Sequence, residues 1–303
     1  MHKAKIALHI NADMHANVHS LTSLAGRIED ARLHGLFFAD ALTTDSIDPL
    51  IALSCIAGHT NSLELGTCVY IGVLRNPLLT SKTVASIQTL CNRRFIFGLG
   101  VGWRRWEFDA LGLPFEKRGE MLEEWLDVLS KGFMGGRVSY SGKYYNVEID
   151  LDWHFNDSEK PKLWLGGNSK AAMYRAAKFS DGWIPTDFSL EEYTNTIPRL
   201  DVMLTKNHRK REEFIIGSHL LLILAETKDK ATDRAYAVAQ HLNERPQELL
   251  SYSVVGDPGS VAERICEYTK SGVNYHVLSL QFFHGDELIR QVELLSKAVL
   301  PSV

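Results

Sequence analysis

Short runs of apolar and β-branched residues alternate along this chain with longer stretches whose apolar positions recur at helical spacing, the pattern of strand followed by helix. The spacing predicts strands at 5–10, 35–40, 63–71, 95–102, 162–165, 182–185, 214–225 and 275–282. Between them it predicts helices at 20–33, 48–58, 77–90, 118–134, 169–179, 228–243, 259–271 and 286–300. Asp48 before Pro49 reads as a cap followed by a proline that fits the first helical position. The stretch 138–147 reads as a hairpin, with Ser141-Gly142-Lys143 turning between tyrosine-rich flanks.

Strands that alternate with helices are parallel and joined by crossovers, and eight such units close into a (β/α)8 TIM barrel. The 303 residues exceed the roughly 250 that such a barrel needs. Insertions after strands 4 and 7 take up the excess: a long connection at about 103–160, and a second helical segment before the eighth strand. The competing architecture, an open doubly wound sheet, wants a glycine-rich turn after the first strand, and Asn11-Ala12-Asp13-Met14-His15 has none. With no repeat, low-complexity tract or linker, 1–303 reads as one domain.

Composition narrows the partners. With 45% hydrophobic and 23% charged residues the chain is ordinary and globular, and its net charge of −4 without a basic stripe argues against nucleic acid. Cys55, Cys68, Cys91 and Cys266 form no CxxC pair and lie in apolar runs, as reduced cysteines packed like small hydrophobes do, so no metal site is expected. The start, Met1-His2-Lys3-Ala4-Lys5, lacks the succession of a signal peptide, and no apolar stretch approaches the roughly 20 residues that cross a bilayer. A cytoplasmic protein without membrane contact is expected.

In such barrels the chemistry sits at the carboxyl ends of the strands. The candidate segments are therefore 9–13, 40–44, 67–70, 100–104, 166–169, 186–187 and 281–284. Gly166-Gly167-Asn168-Ser169 ends a strand and opens a helix, where glycines allow close approach and free amides attract an anion. It reads either as a phosphate site or as a plain turn with Asn168 or Ser169 as cap. Gly98, Gly100 and Gly102 begin inside a strand, which spoils them as a dinucleotide fingerprint. They either let a flat ring lie against the strand end or relieve crowding inside the barrel. His9, His15, Asp13, Asp40 and Glu107 are the candidate acid–base groups. No HExxH or G-x-S-x-G motif points to metal or serine hydrolysis.

Four segments in register resemble the luciferase-like monooxygenase family over about 20–285. They are Leu63-Glu64-Leu65-Gly66-Thr67-Cys68-Val69 with Arg75-Asn76-Pro77; Arg93 to Trp103 with Glu107-Phe108-Asp109-Ala110-Leu111-Gly112; Trp164 to Ser169 with Asp181-Gly182-Trp183-Ile184-Pro185; and Val255-Gly256-Asp257-Pro258. The resemblance implies a cofactor, FMN or the deazaflavin coenzyme F420, with its phosphate near Gly166, Gly167, Asn168 and Ser169 and its ring over Gly66, Thr67, Gly100 and Gly102. It further implies a non-proline cis peptide at Cys68-Val69 behind the ring, so that Cys68 is structural and not a nucleophile.

The chain departs from many deazaflavin-dependent members in two places. Asp40 is followed by Ala41-Leu42-Thr43 where those members carry histidine, and Trp103 stands where some carry glutamate. The acid–base role accordingly falls to Asp40, Glu107 or His9. Trp103, Trp106, Phe108 and Phe115 form either a substrate wall or the core of the insertion. The family implies a homodimer acting on a small-molecule substrate by hydride transfer or oxygen activation, with NAD(P)H or a separate flavin reductase as electron source. A non-catalytic cofactor-binding subunit and a phosphate-binding barrel isomerase are the alternatives.

Overall fold

Three helices start on the same two-residue device. Asp48, Asn76 and Asp257 each accept a hydrogen bond from a first-turn N–H, and each is followed by proline, whose missing N–H costs nothing there. These caps set α2 (Pro49–Ala57), α3 (Pro77–Leu90) and α10 (Pro258–Lys270) behind their strands. The computed structural model describes residues 4–156 and 159–303. Met1-His2-Lys3, on which the signal-peptide expectation rests in part, lie outside the described residues, as do Asp157 and Ser158 of the 103–160 connection.

The strands are β1 (Lys5–Ile10), β2 (Gly35–Phe38), β3 (Glu64–Thr67), β4 (Tyr70–Ile71), β5 (Phe95–Gly100), β8 (Lys162–Gly166), β9 (Gly182–Ile184), β10 (Ile215–Leu224) and β12 (Tyr275–Ser279). With β3 and β4 as one interrupted stave, all pair in parallel, and β10 joins β9 to β12 to close the ring. This is the expected eight-staved barrel. After the fourth stave come α4 (Arg105–Ala110), α5 (Arg118–Met134) and the antiparallel hairpin β6 (Gly136–Ser141) with β7 (Asn146–Leu151). After the seventh come α8 (Lys228–Leu242), α9 (Pro246–Tyr252), β11 (Val254–Gly256) and α10. The remaining helices are α1 (Val18–Asp30), α6 (Lys170–Phe179), α7 (Leu190–Lys206) and α11 (Gly285–Leu294).

Helix α7 has no counterpart among the predicted elements, and it carries Pro198 in its interior, a position that proline disfavours. The start signal was present: Ser189 and Glu192 form a reciprocal capping box. The third stave, whose apolar run reads as one strand over 63–71, is broken at Cys68-Val69 by the cis peptide that the family resemblance implies. Among the described residues no helix is long and apolar enough to cross a membrane.

The barrel is filled, not hollow, from its amino end upward. At the strand starts Glu64 accepts hydrogen bonds from Lys5 Nζ at 2.6 Å and from the Tyr275 hydroxyl at 2.8 Å. Above them Phe37 stacks on Trp164 at 5.8 Å, and Trp164 meets Tyr275 edge-on at 4.8 Å, with Ala7, Ile96, Ile184 and Val277 between. Rings this large fit because small residues face them. A Cβ on Gly66 would lie 2.2 Å from the Phe37 ring, and one on Gly98 would lie 2.0 Å from the Thr67 carbonyl oxygen. The second neighbour is backbone and cannot swing away. Gly98→Ala is therefore expected to destabilise the fold by about 3 kcal/mol, the upper end of ordinary overpacking. Urea unfolding of the variant checks this, and an unchanged midpoint refutes it.

Candidate active site

The lower layers are filled with side chains, and the described residues leave room at the carboxyl ends of the staves. A cavity of about 630 Å³ opens there, within the range that holds a small organic ligand. Its walls include His9 from β1, Asp40 after β2, Cys68 and Val69, Gly100 and Gly102, Gly166 to Asn168, and His219 from β10.

One side is shaped by the interrupted third stave. Val69 lies against two glycines: a Cβ on Gly100 would stand 2.5 Å from its Cγ2, and one on Gly166 would stand 3.0 Å from its Cγ1. The two readings of the fourth-strand glycines thus divide between positions. Gly98 relieves crowding inside the barrel, while Gly100 and Gly102 border the cavity. Burial pushes the Cys68 thiol far above its usual range, with Asp187 adding to the effect, so it stays protonated.

The turn into α6 is held rigidly. Gly167 adopts φ +118, a region that favours glycine, and its carbonyl accepts from Trp183 Nε1 at 2.9 Å. The Asn168 amide bonds Thr186 in both directions, donating to its carbonyl at 2.8 Å and accepting from its N–H at 3.1 Å. Ser169 caps the helix through the Ala172 N–H at 3.1 Å. Of the two side chains expected to reach a phosphate, Asn168 spans two staves and Ser169 serves its own helix. The anion-attracting groups left at this end are the Lys170 and Ala171 N–H groups that open α6, which have no partner inside the helix.

The acid–base candidates divide sharply. Asp40 borders the cavity, yet both its oxygens face Arg75, at 2.5 and 3.0 Å, and one also accepts from the Ile71 N–H at 2.9 Å. Burial pushes its carboxyl above the ordinary value and Arg75 pulls the other way. It is a clamp between staves, with no oxygen free to exchange a proton. Glu107 is fully buried and does not line the cavity. Its Oε1 accepts from the Thr43 N–H at 3.2 Å and the Thr43 hydroxyl at 3.0 Å, tying the loop after β2 to α4.

His9 differs from both. Its Nδ1 lies 3.0 Å from the Ser279 hydroxyl and 3.0 Å from His219 Nε2, and both rings border the cavity. The outer nitrogens, His9 Nε2 and His219 Nδ1, are buried and have no partner among the described residues. Burial, then the neighbouring ring, drives His9 well below the usual imidazole value, and burial takes His219 to about 4. Both rings are neutral at pH 7, and the shared N···N contact needs one proton. The second ring's proton must then sit on an outer nitrogen.

His219 was not among the sequence candidates. It does not lie at a strand end: β10 runs past the rim to pair with β11, which leaves this site residue in mid-strand. Asp187, flagged by position, has a raised carboxyl pKa of about 6, caused by desolvation and then Glu244. It is exposed, but into a concave wall, where nearby protein displaces much of its water.

The aromatic residues of the connection also divide. Trp103 borders the cavity at 70% exposure, carries Arg104 over its ring at 4.8 Å, and meets Trp106 edge-on at 6.2 Å. Trp106 stands behind it, outside the cavity. Phe108 is fully buried against Phe115, and so belongs to the core of the insertion and not to a substrate wall. Gly66 and Thr67 lie one layer below the cavity, where the Thr67 hydroxyl donates to the Gly98 carbonyl at 2.7 Å. No group of three or more potential metal ligands occurs among the described residues.

Comparison with known proteins places this geometry. A family model described as luciferase-like monooxygenase matches residues 3–275. The chain is 21% identical over 300 residues to the 5,10-methylenetetrahydromethanopterin reductase of Methanopyrus kandleri, covering 82% of this chain and 85% of that one. Among solved structures it is similar to an F420-dependent secondary alcohol dehydrogenase in complex with an F420-acetone adduct, at TM-score 0.86 and 16% identity over 99% of both chains. It is also similar to the oxygenating constituent of 3,6-diketocamphane monooxygenase from Pseudomonas putida, in complex with FMN, at TM-score 0.79 and 13% identity over 99% of both.

Proposed function

Because this chain belongs to the luciferase-like monooxygenase family, we propose that it is an oxidoreductase that seats a flavin or deazaflavin ring in the barrel-mouth cavity and acts there on a small organic substrate. The observation that carries the reading is the cavity itself. One wall is a glycine-backed valine, open enough for a flat ring, and the amino end of α6 stands beside it for a phosphate. Cys68 and Val69 brace the ring, with Gly66 and Thr67 in the layer beneath them, Gly100 and Gly102 leave room for it, and the turn from Gly166 to Ser169 forms the anion end.

When bound, the ring supplies hydride or oxygen chemistry, and the chain supplies binding, orientation and exclusion of water. Trp103 covers the mouth on the substrate side. Proton handling falls to His9 with His219, the titratable pair on the wall whose outer nitrogens are uncommitted; Asp40 and Glu107 hold structure. A neutral imidazole pair beside the ring favours a turning-over enzyme over a cofactor-binding subunit.

The test is a fluorescence titration of the protein with FMN and with coenzyme F420, each oxidised and reduced. Micromolar or tighter binding of at least one is expected. If neither binds more tightly than about 1 mM, a bare 4 kcal/mol of affinity, the reading fails.

A further inference from the structure

Next to the ring cavity, and sharing Asn168 with it, lies a second groove of about 480 Å³ between α6 and α7. Lys170, Arg199 and Lys206 line it, together with Thr196, Val202 and Met203, and no carboxylate does. That is unusual for a chain of net charge −4. Other cations nearby are matched: Arg211 lies 3.3 Å from Asp201, and Arg209 lies 3.5 Å from Asp181. Among the described residues, the side chains of Lys170, Arg199 and Lys206 make no ion pair or hydrogen bond.

Placement makes the excess charge harder to explain by folding alone. Lys170 is the first residue of α6, where the helix dipole disfavours a cation. Arg199 and Lys206 are seven residues apart on α7, about two turns, so they project along one face roughly 10 Å apart. Val202 and Met203 fill the face between them and offer an apolar floor. Like charges gathered without partners oppose folding slightly, and such local conflicts mark places where a ligand supplies the missing charge.

We infer that this groove binds an anionic chain, bearing carboxylates or phosphates at intervals of several ångströms, that continues outward from the ligand in the ring cavity. The inference rests on the ring reading above and deepens it. A flavin mononucleotide ends at its phosphate and leaves the groove unused. A deazaflavin coenzyme extended beyond its phosphate by a carboxylate-bearing tail fills both the amino end of α6 and the three cations. The groove therefore selects the tail-bearing deazaflavin over FMN.

The experiment titrates the whole protein with three probes: coenzyme F420 with its tail intact, the same deazaflavin cut back to its riboflavin-like core, and FMN. Each is run at low and high salt against wild type, an Arg199→Glu/Lys206→Glu double variant and Lys170→Gln, with circular dichroism confirming the fold. The tail-bearing form is expected to bind the double variant about tenfold more weakly at low salt and to lose most of that difference at high salt. Lys170→Gln shows a smaller loss in the same direction, and the core deazaflavin and FMN are unmoved by the double variant. Equal losses for all three probes, or none for the tail-bearing form, overturn the groove assignment and leave the ring reading standing. Failure of all three to bind wild type overturns both.

Discussion

Acidification from pH 7 to 4 is expected to remove several kcal/mol of folding stability, with His219 and His276 as principal titrating groups. Both rings are fully buried in the fold, which lowers each from 6.5 to about 4. His276 lies between the Ser218 and Thr269 hydroxyls, each at 2.9 Å, away from the cavity. Between those two values the unfolded chain binds more protons than the folded one, so stability falls as pH falls through the window. A histidine moved that far contributes on the order of 3 kcal/mol once both values are passed. His9, also lowered by burial and by the His219 ring, adds in the same direction.

Asp187 and Asp40 act oppositely. Each is raised in the fold, so each favours the folded state in acid, but Asp187 is exposed and Asp40 is held by Arg75. Loss of stability therefore dominates. Urea unfolding at half-unit pH steps checks it. His276→Gln should lower the slope of unfolding free energy near pH 5 by about 1.4 kcal/mol per pH unit, one proton's worth. A slope that ignores the substitution would mean the ring already binds its proton in the folded protein.

Arg75→Met is expected to cost about 3–5 kcal/mol, the usual price of stranding one member of a buried ion pair. The Asp40 side chain is only 3% exposed and would keep one donor, the Ile71 N–H, out of three. Arg75 further pairs with Asp48 at 3.1 Å, the cap of α2, and stacks on Tyr70 at 4.4 Å. The Asp40 N–H meets the Val69 carbonyl at 3.3 Å, so the damage reaches the cavity wall. Without Arg75 the Asp40 carboxyl rises further, and its destabilising effect is greatest above that raised value. It fades as pH falls towards the unfolded value of about 3.9. An Asp40→Asn/Arg75→Met double variant should regain much of the stability at neutral pH, since no charge is then stranded. If the double variant is as unstable as the two single losses added together, the pair is not coupled and the clamp does not exist.

Much of the architecture was legible beforehand for local reasons. The Asp-Pro and Asn-Pro caps, the apolar strands and the helical periodicities act within a few residues, and they place most elements to within a few positions of where they lie. Where a local cue conflicted with packing, the reading failed. Helix α7 has no counterpart among the predicted elements, and its capping box and its contacts with α6 and α10 hold it despite Pro198 in its interior. At the site, glycines and the Gly-Gly-Asn-Ser turn were legible because conformation and size are properties of single residues.

Proton chemistry was not legible in that way. Asp40, Glu107 and His9 were all candidates along the chain, and nothing local distinguishes a free carboxylate from one clamped by an arginine 35 positions later. His9 meets His219 across 210 positions because β12 stands between β1 and β10 and pairs with both, with Ser279 opposite His9 and Val277 opposite His219. By itself the sequence determined the kinds of elements, their order and the family they belong to, since those follow from short-range pattern. Only barrel closure decided which polar groups lost their water, which found partners and which two imidazoles were left facing the cavity, because burial and pairing depend on residues the chain keeps far apart.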